Sequence, residues 1–381
     1  MKNKIYKYFF YEFLRYFFIA LFALAVIVWA VQAVNFLDLV TEDGHAFVTY
    51  FSYSFLTISK IITKLIPFCF LVACVLTILK FEKDNELIII WTSGLNKIYI
   101  VNLIFRISLI VMLLQLFFTS IINPKLLNYS RFLLKNSEFQ FIPSLLKEKQ
   151  FNDAIKGLTV FVEEKDEGNK FKNIFIRDDG NNLSTIGSSS SNFAFTVLAK
   201  SGNVSEDKKS LVLYDGNIQK LTKNQDTVSI IKFEKTVLNF TGLTTKSISE
   251  PKMQETSTLK IFNCIKNNYT SIDMHNCTNS KQSKMDTKIE INKRFGMPVF
   301  IPLISLICSF LLSSRRDEKI YNYSKYIYFL ICFIVLVFAE IGVRYSGISW
   351  THTAIYYFLP MGILPLAYLS LIRKFKYENL V

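Results

Sequence analysis

Charge is scarce in this sequence: Asp, Glu, Lys and Arg together make up 19% of its 381 residues, against about 25% in an ordinary soluble domain. Histidine is scarcer still. His45, His275 and His352 are the only three, too dispersed to suggest a catalytic or metal-binding cluster. There is no Gly-x-x-x-x-Gly-Lys-Ser/Thr segment, so the chain has no phosphate loop with which to cradle ATP, and any ATP energy must come from a partner. A Gly-x-Ser-x-Gly elbow and a His-Glu-x-x-His pair are also missing, which removes the usual marks of a serine or zinc hydrolase. The six cysteines are few and scattered. Cys69, Cys74, Cys308 and Cys332 lie in apolar runs and read as small hydrophobes. Cys264 and Cys277 lie in a polar stretch and could pair in an oxidising compartment; two free thiols are the expectation, because spacing alone does not establish disulfide geometry. His275 beside Cys277 is too little for a metal site.

What the chain has in abundance is apolar surface: 51% of its residues are hydrophobic and 15% aromatic. A hydrocarbon core about 30 Å thick takes roughly 20 apolar residues of helix, and six runs approach that length. They cover Tyr16 to Val34, Tyr53 to Leu79 (with Lys60 and Lys64 in its first half), Asn102 to Ile122, Phe295 to Leu312, Tyr326 to Val343 and Ile355 to Ile372. The net charge of +14 fits this reading better than a nucleic-acid partner, since many Lys and Arg flank the apolar runs. Basic excess marks the cytoplasmic side of short loops. Lys2, Lys4, Lys7 and Arg15, then Arg315, Arg316, Lys319 and Lys325, then Arg373, Lys374 and Lys376 all fall on one side of a six-span topology. Asp38, Glu42 and Asp43 fall on the other. Both termini are therefore expected in the cytoplasm. Val31-Gln32-Ala33 loosely resembles a signal cleavage site, but the apolar run before it exceeds the 7–15 residues of a signal core.

Between the third and fourth runs the composition turns polar, over a length too great for a simple loop. Leu158, Val160 and Val162 alternate with Thr159, Phe161 and Glu163, and residues 173–177 alternate similarly, which predicts strands. Residues 211–214 and 217–221, separated by Asp215-Gly216, predict a hairpin with a two-residue turn. Residues 227–240 add another β-rich stretch, Ser188 to Ser191 read as a turn, and residues 250–288 as a polar tract joining this region back to the membrane. A β-sandwich or jelly roll is the natural class. The expected organisation is transmembrane helices over residues 1–122, a β-jellyroll domain with linker over 123–289, and transmembrane helices over 290–381.

Three groups of residues carry candidate chemistry. Lys60 and Lys64 share a helix face; with Arg344 they could contact anionic head groups of a lipid substrate, or their side chains could simply reach the membrane interface. Glu340 is the one acidic residue well inside a span, and Arg344 four residues later makes an ion pair the favoured reading, with a proton or cation site as the alternative. Residues 84–95 are too apolar for a solvated connector. Leu87-Ile88-Ile89-Ile90-Trp91, preceded by Glu82, Asp84 and Glu86 and followed by Gly94, predicts a short helix. It lies in the lipid interface or couples to a cytoplasmic protein groove.

At three places the residues resemble the lipopolysaccharide export permeases of the LptF/LptG (YjgP/YjgQ) family. These are Ile66-Pro67 followed by Asp84-Asn85-Glu86-Leu87 and Ser93-Gly94-Leu95; Tyr214-Asp215-Gly216; and Glu290 to Arg294 with Pro298 opening the fourth span. The likeness runs over nearly the whole chain, with the F-like partner weakly favoured. It implies a half-transporter, a six-helix permease half with an inserted periplasmic β-jellyroll, in the bacterial inner membrane. It further implies a second permease of the same family, a dimer of the ATPase LptB, and delivery of lipopolysaccharide to LptC and a periplasmic bridge. On that resemblance Glu86 sits in the coupling helix, with Leu87, Ile90, Trp91 and Gly94 beside it. Pro67, Asp215, Gly216, Glu290, Arg294 and Pro298 are structural. No cofactor is expected on this chain. Two departures stand out: Asn85 where the family often has Ser, and the extended join over residues 250–288. An ion-coupled secondary transporter, motivated by Glu340, and a non-transporting scaffold are the alternatives, although the two halves show no sequence repeat of the kind such transporters carry.

Overall fold

The computed structural model describes residues 2–41, 47–136, 146, 148–155, 157–166, 170–179, 193–205, 210–222, 228–239, 252–269, 277–313 and 321–378. The turn expected at Ser188 to Ser191, the charges at Glu42, Asp43, Arg315, Arg316 and Lys319, and both His45 and His275 lie outside the described residues.

Six helical stretches among the described residues are long and apolar enough to cross a membrane: Lys4–Val40, Phe47–Lys83, Lys97–Leu134, Lys281–Leu312, Lys325–Ser346 and Trp350–Lys376. In element order the first half comprises α1 (Lys2–Asn35), α2 (Asp38–Thr41), α3 (Phe47–Lys83), α4 (Glu86–Thr92), α5 (Lys97–Phe117), a π turn (Phe118–Ile122) and α6 (Asn123–Asn136). Six strands follow, β1 (Asn152–Ile155), β2 (Leu158–Asp166), β3 (Lys170–Asp178), β4 (Phe193–Val204), β5 (Ser210–Thr222) and β6 (Val228–Asn239). The chain then forms α7 (Thr258–Lys266), α8 (Lys281–Phe295), α9 (Phe300–Ser309), α10 (Tyr321–Ser346) and α11 (Trp350–Glu378). The helices run beyond the apolar runs at both ends, except the fourth, which extends its run only at the N-terminal side and stops with it at Leu312. The third span continues through the π turn into α6, so Asn123 lies inside a helical run and not at its end. Residues 250–288, expected as a linker, contain α7 and the first turns of α8.

The chain divides into two compact units, one made of residues 1–30, 57–128 and 252–381, the other of residues 31–56 and 129–251. The first buries a continuous apolar core built from every span, with Phe9, Phe13, Ile66, Phe70, Phe81, Ile104, Ile301 and Leu306 at its centre. The fourth span is mostly buried, while the first, fifth and sixth present most of their surface outward. In that outward face stand Phe22, Phe338 and Phe358. A helix that shows such residues to its surroundings is stable where the surroundings are hydrocarbon.

The second unit holds one six-stranded antiparallel sheet in chain order, β1 to β6. The predicted alternation holds: Leu158, Val160 and Val162 are buried on one face with Phe171, Ile174, Ile176, Val197, Leu211 and Leu213. The opposite face carries an aromatic cluster in which Phe151 lies 4.6 Å from Phe161 and 6.2 Å from Phe175. The inserted β domain is as the sequence predicts; its hairpin is not. Asp215-Gly216 does not turn the chain. β5 runs straight through it, with Tyr214 opposite Ser201 and Gly216 opposite Ala199 on one side, and with Gly216 opposite Phe233 on the other. Asp215 does take a positive φ of 47°, but inside a strand. Glycine is required next to it because a Cβ on Gly216 would strike the Leu198 carbonyl oxygen and the Phe233 ring. A glycine within a strand marks such a close approach as readily as a turn.

The two polar cysteines are a second correction. Cys264 and Cys277 are joined by a disulfide, Cα to Cα 5.9 Å apart. It closes a loop from α7 to the residues preceding α8, and Ile261, Met253 and Ile291 pack around it. The expectation of free thiols failed because sequence spacing says nothing of the helical turn that brings the two together.

Candidate functional site

Two features of the first unit could carry function. The first is α4, the short helix predicted over residues 84–95. It is short because left-handed residues bracket it: Asn85 at φ 58° before it and Gly94 at φ 83° after it. Backbone bonds from Ser93 N to Ile89 O and from Gly94 N to Trp91 O close its last turn, and Asn96 then caps α5 by accepting from Ile98 N at 3.0 Å. Of the residues expected to form an outward coupling face, Leu87 and Ile90 instead pack into the core, and Trp91 is half-buried with Lys97 above its ring. The residues left outward are Ile88 and Ile89, 54% and 65% exposed. Glu86 accepts a hydrogen bond from the Tyr8 hydroxyl at 3.0 Å, and Lys80 pairs with Glu12 at 2.9 Å. The start of the first span is thereby tied to the end of the second and to α4. A cavity of about 480 Å³ opens between Ile5, Tyr8, Phe81, Glu86 and Ile89.

The second feature is a polar cavity of about 250 Å³ among the spans. Lys60, Lys64 and Pro67 of α3 reach it, as do Gln115 and Thr119 of the third span, Glu290, Lys293 and Arg294 of α8, and Glu340 of α10. Pro67 shapes it through what it lacks. With no N–H, it cannot satisfy the Thr63 carbonyl one turn earlier, and the Gln115 side-chain amide donates to that carbonyl at 3.3 Å instead. Asn123 donates to Thr63 Oγ1 at 3.0 Å. The Gln115 Oε1 atom is buried without a partner among the described residues.

Arg294 is the structural centre of the cavity wall. Its Nε pairs with Glu290 at 2.9 Å, one helical turn back on α8. Its other nitrogens donate to Thr258 Oγ1 and the Thr256 carbonyl, both at 2.9 Å. Thr258 in turn donates to the Ser120 carbonyl at 2.6 Å, and Thr119 donates to the Arg294 carbonyl at 2.9 Å. The guanidinium thus fastens residues 252–258, the π turn of the third span and α8 to one another. With Arg294 and Glu290 neutralising each other, the lining leaves three lysines, Lys60, Lys64 and Lys293, facing the single carboxylate of Glu340.

The sequence placed Lys60 and Lys64 together, and they are together. Arg344 is not part of the cavity lining and its side chain is exposed, although its charge reaches Lys64 through space. The ion pair favoured for Glu340 and Arg344 does not form: Glu340 faces the lysines instead. Lys293 and Gln115 were missed as site residues. Lys293 was in view, inside the Glu290 to Arg294 stretch, but only the helical phase of α8 shows that it projects into the cavity. Among the described residues no group of His, Cys, Asp and Glu could hold a metal ion. Pro298 is buried at the start of a single 3-10 turn ahead of α9, where a missing N–H is tolerated.

Six long apolar helices around a lysine-lined cavity, with an antiparallel β unit inserted between the third and fourth, define a multi-pass membrane permease. The chain belongs to the lipopolysaccharide export system permease LptF/LptG family, whose family model matches residues 7–374. It is also 30% identical over 179 residues to a Rickettsia prowazekii (strain Madrid E) protein with the name "Uncharacterized protein RP871". That match covers 46% of this chain and 48% of the relative, so the chain spans about half the length of the curated relative it matches.

Proposed function

We propose that this chain is one permease half of an ATP-driven exporter that draws lipopolysaccharide out of the bacterial inner membrane and hands it to a periplasmic bridge. The observation that carries the reading is the cavity in which Lys60, Lys64 and Lys293 converge among the spans. Lipid phosphates are bound by basic pockets of this kind, and three lysines against one carboxylate leave an excess of positive charge to meet them.

The remaining parts follow from the same physics. The chain has no phosphate loop, so a separate ATPase, an LptB-type dimer, hydrolyses the nucleotide. It docks where α4 leaves Ile88 and Ile89 exposed, a helix-in-groove contact. A second permease of the family packs against part of the apolar surface that the spans leave exposed. The segment between the third and fourth spans, which carries both the β unit and the Cys264–Cys277 disulfide, faces the periplasm, as that disulfide favours, and both termini are cytoplasmic. Among the described residues β6 is an edge strand of the sheet, with Ile230, Ile231 and Val237 exposed, suited to strand addition by LptC or the bridge. The test is reconstitution of the permease pair with the ATPase in vesicles containing photoactivatable lipopolysaccharide. Lys60→Ala with Lys64→Ala should abolish cross-linking to this chain while the ATPase still co-purifies; undiminished cross-linking refutes the cavity as the lipid site. Ile88→Asp with Ile89→Asp should do the reverse, releasing the ATPase from a correctly folded chain.

A second reading, an ion-coupled transporter, is favoured by one observation: Glu340 is not locked to Arg344 but faces the cavity. Export that continues without ATPase and stops when the ion gradient collapses would establish it in place of the first.

A further inference from the structure

A second groove runs between the fifth and sixth spans. Its volume is about 390 Å³. Phe300, Leu303 and Ile307 of α9 form its floor, all well covered by the chain; Phe338 on one wall and Leu359 on the other stand half or more exposed at its rim. No residue of the lysine cavity lines it.

We infer that this groove holds one acyl chain of a membrane phospholipid. Three observations support it. The wall is almost wholly apolar and is built by three helices of membrane-spanning length, so hydrocarbon, not water, is what lies at its opening. A dry apolar void of this size forfeits dispersion contacts along its whole lining unless something fills it. The dimensions fit one leaflet: along α11 the groove extends from His352 to Ile363, eleven residues at 1.5 Å each or about 16 Å, roughly half of a hydrocarbon core about 30 Å thick.

Trp350 is 72% exposed at the start of α11, where an interfacial tryptophan belongs. Beside it Ser349 and His352 form a polar rim, with Ser349 Oγ 3.0 Å from His352 Nδ1. A head group would rest on this rim, with its tail against Leu303 and Ile307. Glycine makes the fit possible: on Gly342 a Cβ would meet the Tyr356 ring at 3.1 Å, and on Gly296 it would collide with the same ring. The ring is seated between the two backbones.

The inference stands apart from the lipopolysaccharide reading, since a resident phospholipid needs neither nucleotide nor exported substrate. The test uses the full chain with its co-purifying subunits in nanodiscs of phosphatidylethanolamine and phosphatidylglycerol, doped with phosphatidylcholine that carries a mid-chain diazirine. Photolysis after a chase with unlabelled lipid should leave label on Leu303, Ile307 and Leu359, while label on exposed Phe22 and Ile27 of the first span is chased away. Leu303→Trp, which fills the floor, and Leu359→Trp, which fills the rim with little risk to folding, should each remove the chase-resistant label. The inference is overturned if groove and first-span label chase at the same rate, or if the label persists in both tryptophan variants. It is equally overturned if photoactivatable lipopolysaccharide labels these residues and displaces the phospholipid.

Discussion

The two units of this protein bury opposite things. In the β unit the covered face is apolar, from Leu158 to Leu238, and the charged residues stand outward: Lys172 and Glu164 pair at 3.2 Å with about half of each side chain exposed. In the membrane unit the apolar surface is spread over both inside and outside, and it is the polar network that is hidden. Arg294, Asn292, Gln115, Ser305 and Thr287 are all buried, while Phe22 is 74% exposed. The difference follows from the solvent. Water rewards burial of apolar area, whereas lipid is as apolar as leucine and gives no such reward, so association there rests on packing and on hydrogen bonds that have no alternative partner. The same residue type should therefore matter very differently in the two units.

The largest effect is expected at Arg294. Arg294→Met removes the partner of a covered Glu290 carboxylate and also orphans the Thr256 carbonyl, and breaking one side of a buried pair costs about 3–5 kcal/mol. Thermal unfolding in detergent, followed by helical circular dichroism, should show that loss; an unchanged midpoint would mean that the pair is no more than a surface contact. Next is Ile176→Ala in the β core, fully buried among Val160, Val197 and Leu213, where a large-to-small change costs about 2–5 kcal/mol. Proteolysis of the β unit is the readout, with faster cleavage there and no change in the spans.

The disulfide comes third. Cys264→Ser with Cys277→Ser opens a loop with a sequence separation of 13, for which a chain-entropy argument gives roughly 3 kcal/mol. The loss should appear in oxidised protein and vanish when wild type and variant are compared under reducing conditions. A difference that survives reduction would show that the serines, not the lost bond, are responsible.

How much of this was legible in the sequence also divides by unit. Strand alternation at Leu158 to Val162 was readable because period two needs only local residues. The six spans were readable because lipid imposes a length. What escaped reading depends on neighbours distant in the chain. Gly216 carries the same residue pair whether it turns a hairpin or lets two strands approach, and only the Leu198 carbonyl and Phe233 decide between them. Leu87 and Ile90 look as apolar as Ile88 and Ile89, and helical phase against the core alone separates the buried pair from the exposed one. Lys293 joins Lys60 across more than two hundred residues. Pro67 was noted as a motif, yet its consequence, a carbonyl left for Gln115 to satisfy, needs the third span in place.

The smallest expected effects sharpen the comparison most. Lys172→Ala breaks an ion pair with Glu164 that water already screens on both sides, and pairs of this kind contribute about 0–1 kcal/mol. Phe22→Ala removes a whole aromatic ring from the first span, but 74% of that side chain faces outward, so in a bilayer it exchanges protein-to-lipid contact for lipid-to-lipid contact and should change stability by about 0.5 kcal/mol or less. In water the same exposed ring would favour association of the chain with itself. Unfolding midpoints of the two variants should accordingly coincide with that of the parent chain in nanodiscs. If Phe22→Ala unfolds far more easily while Lys172→Ala does not, then the outward face of the first span is packed against protein, and its exposure belongs to the isolated chain and not to the assembly in the membrane.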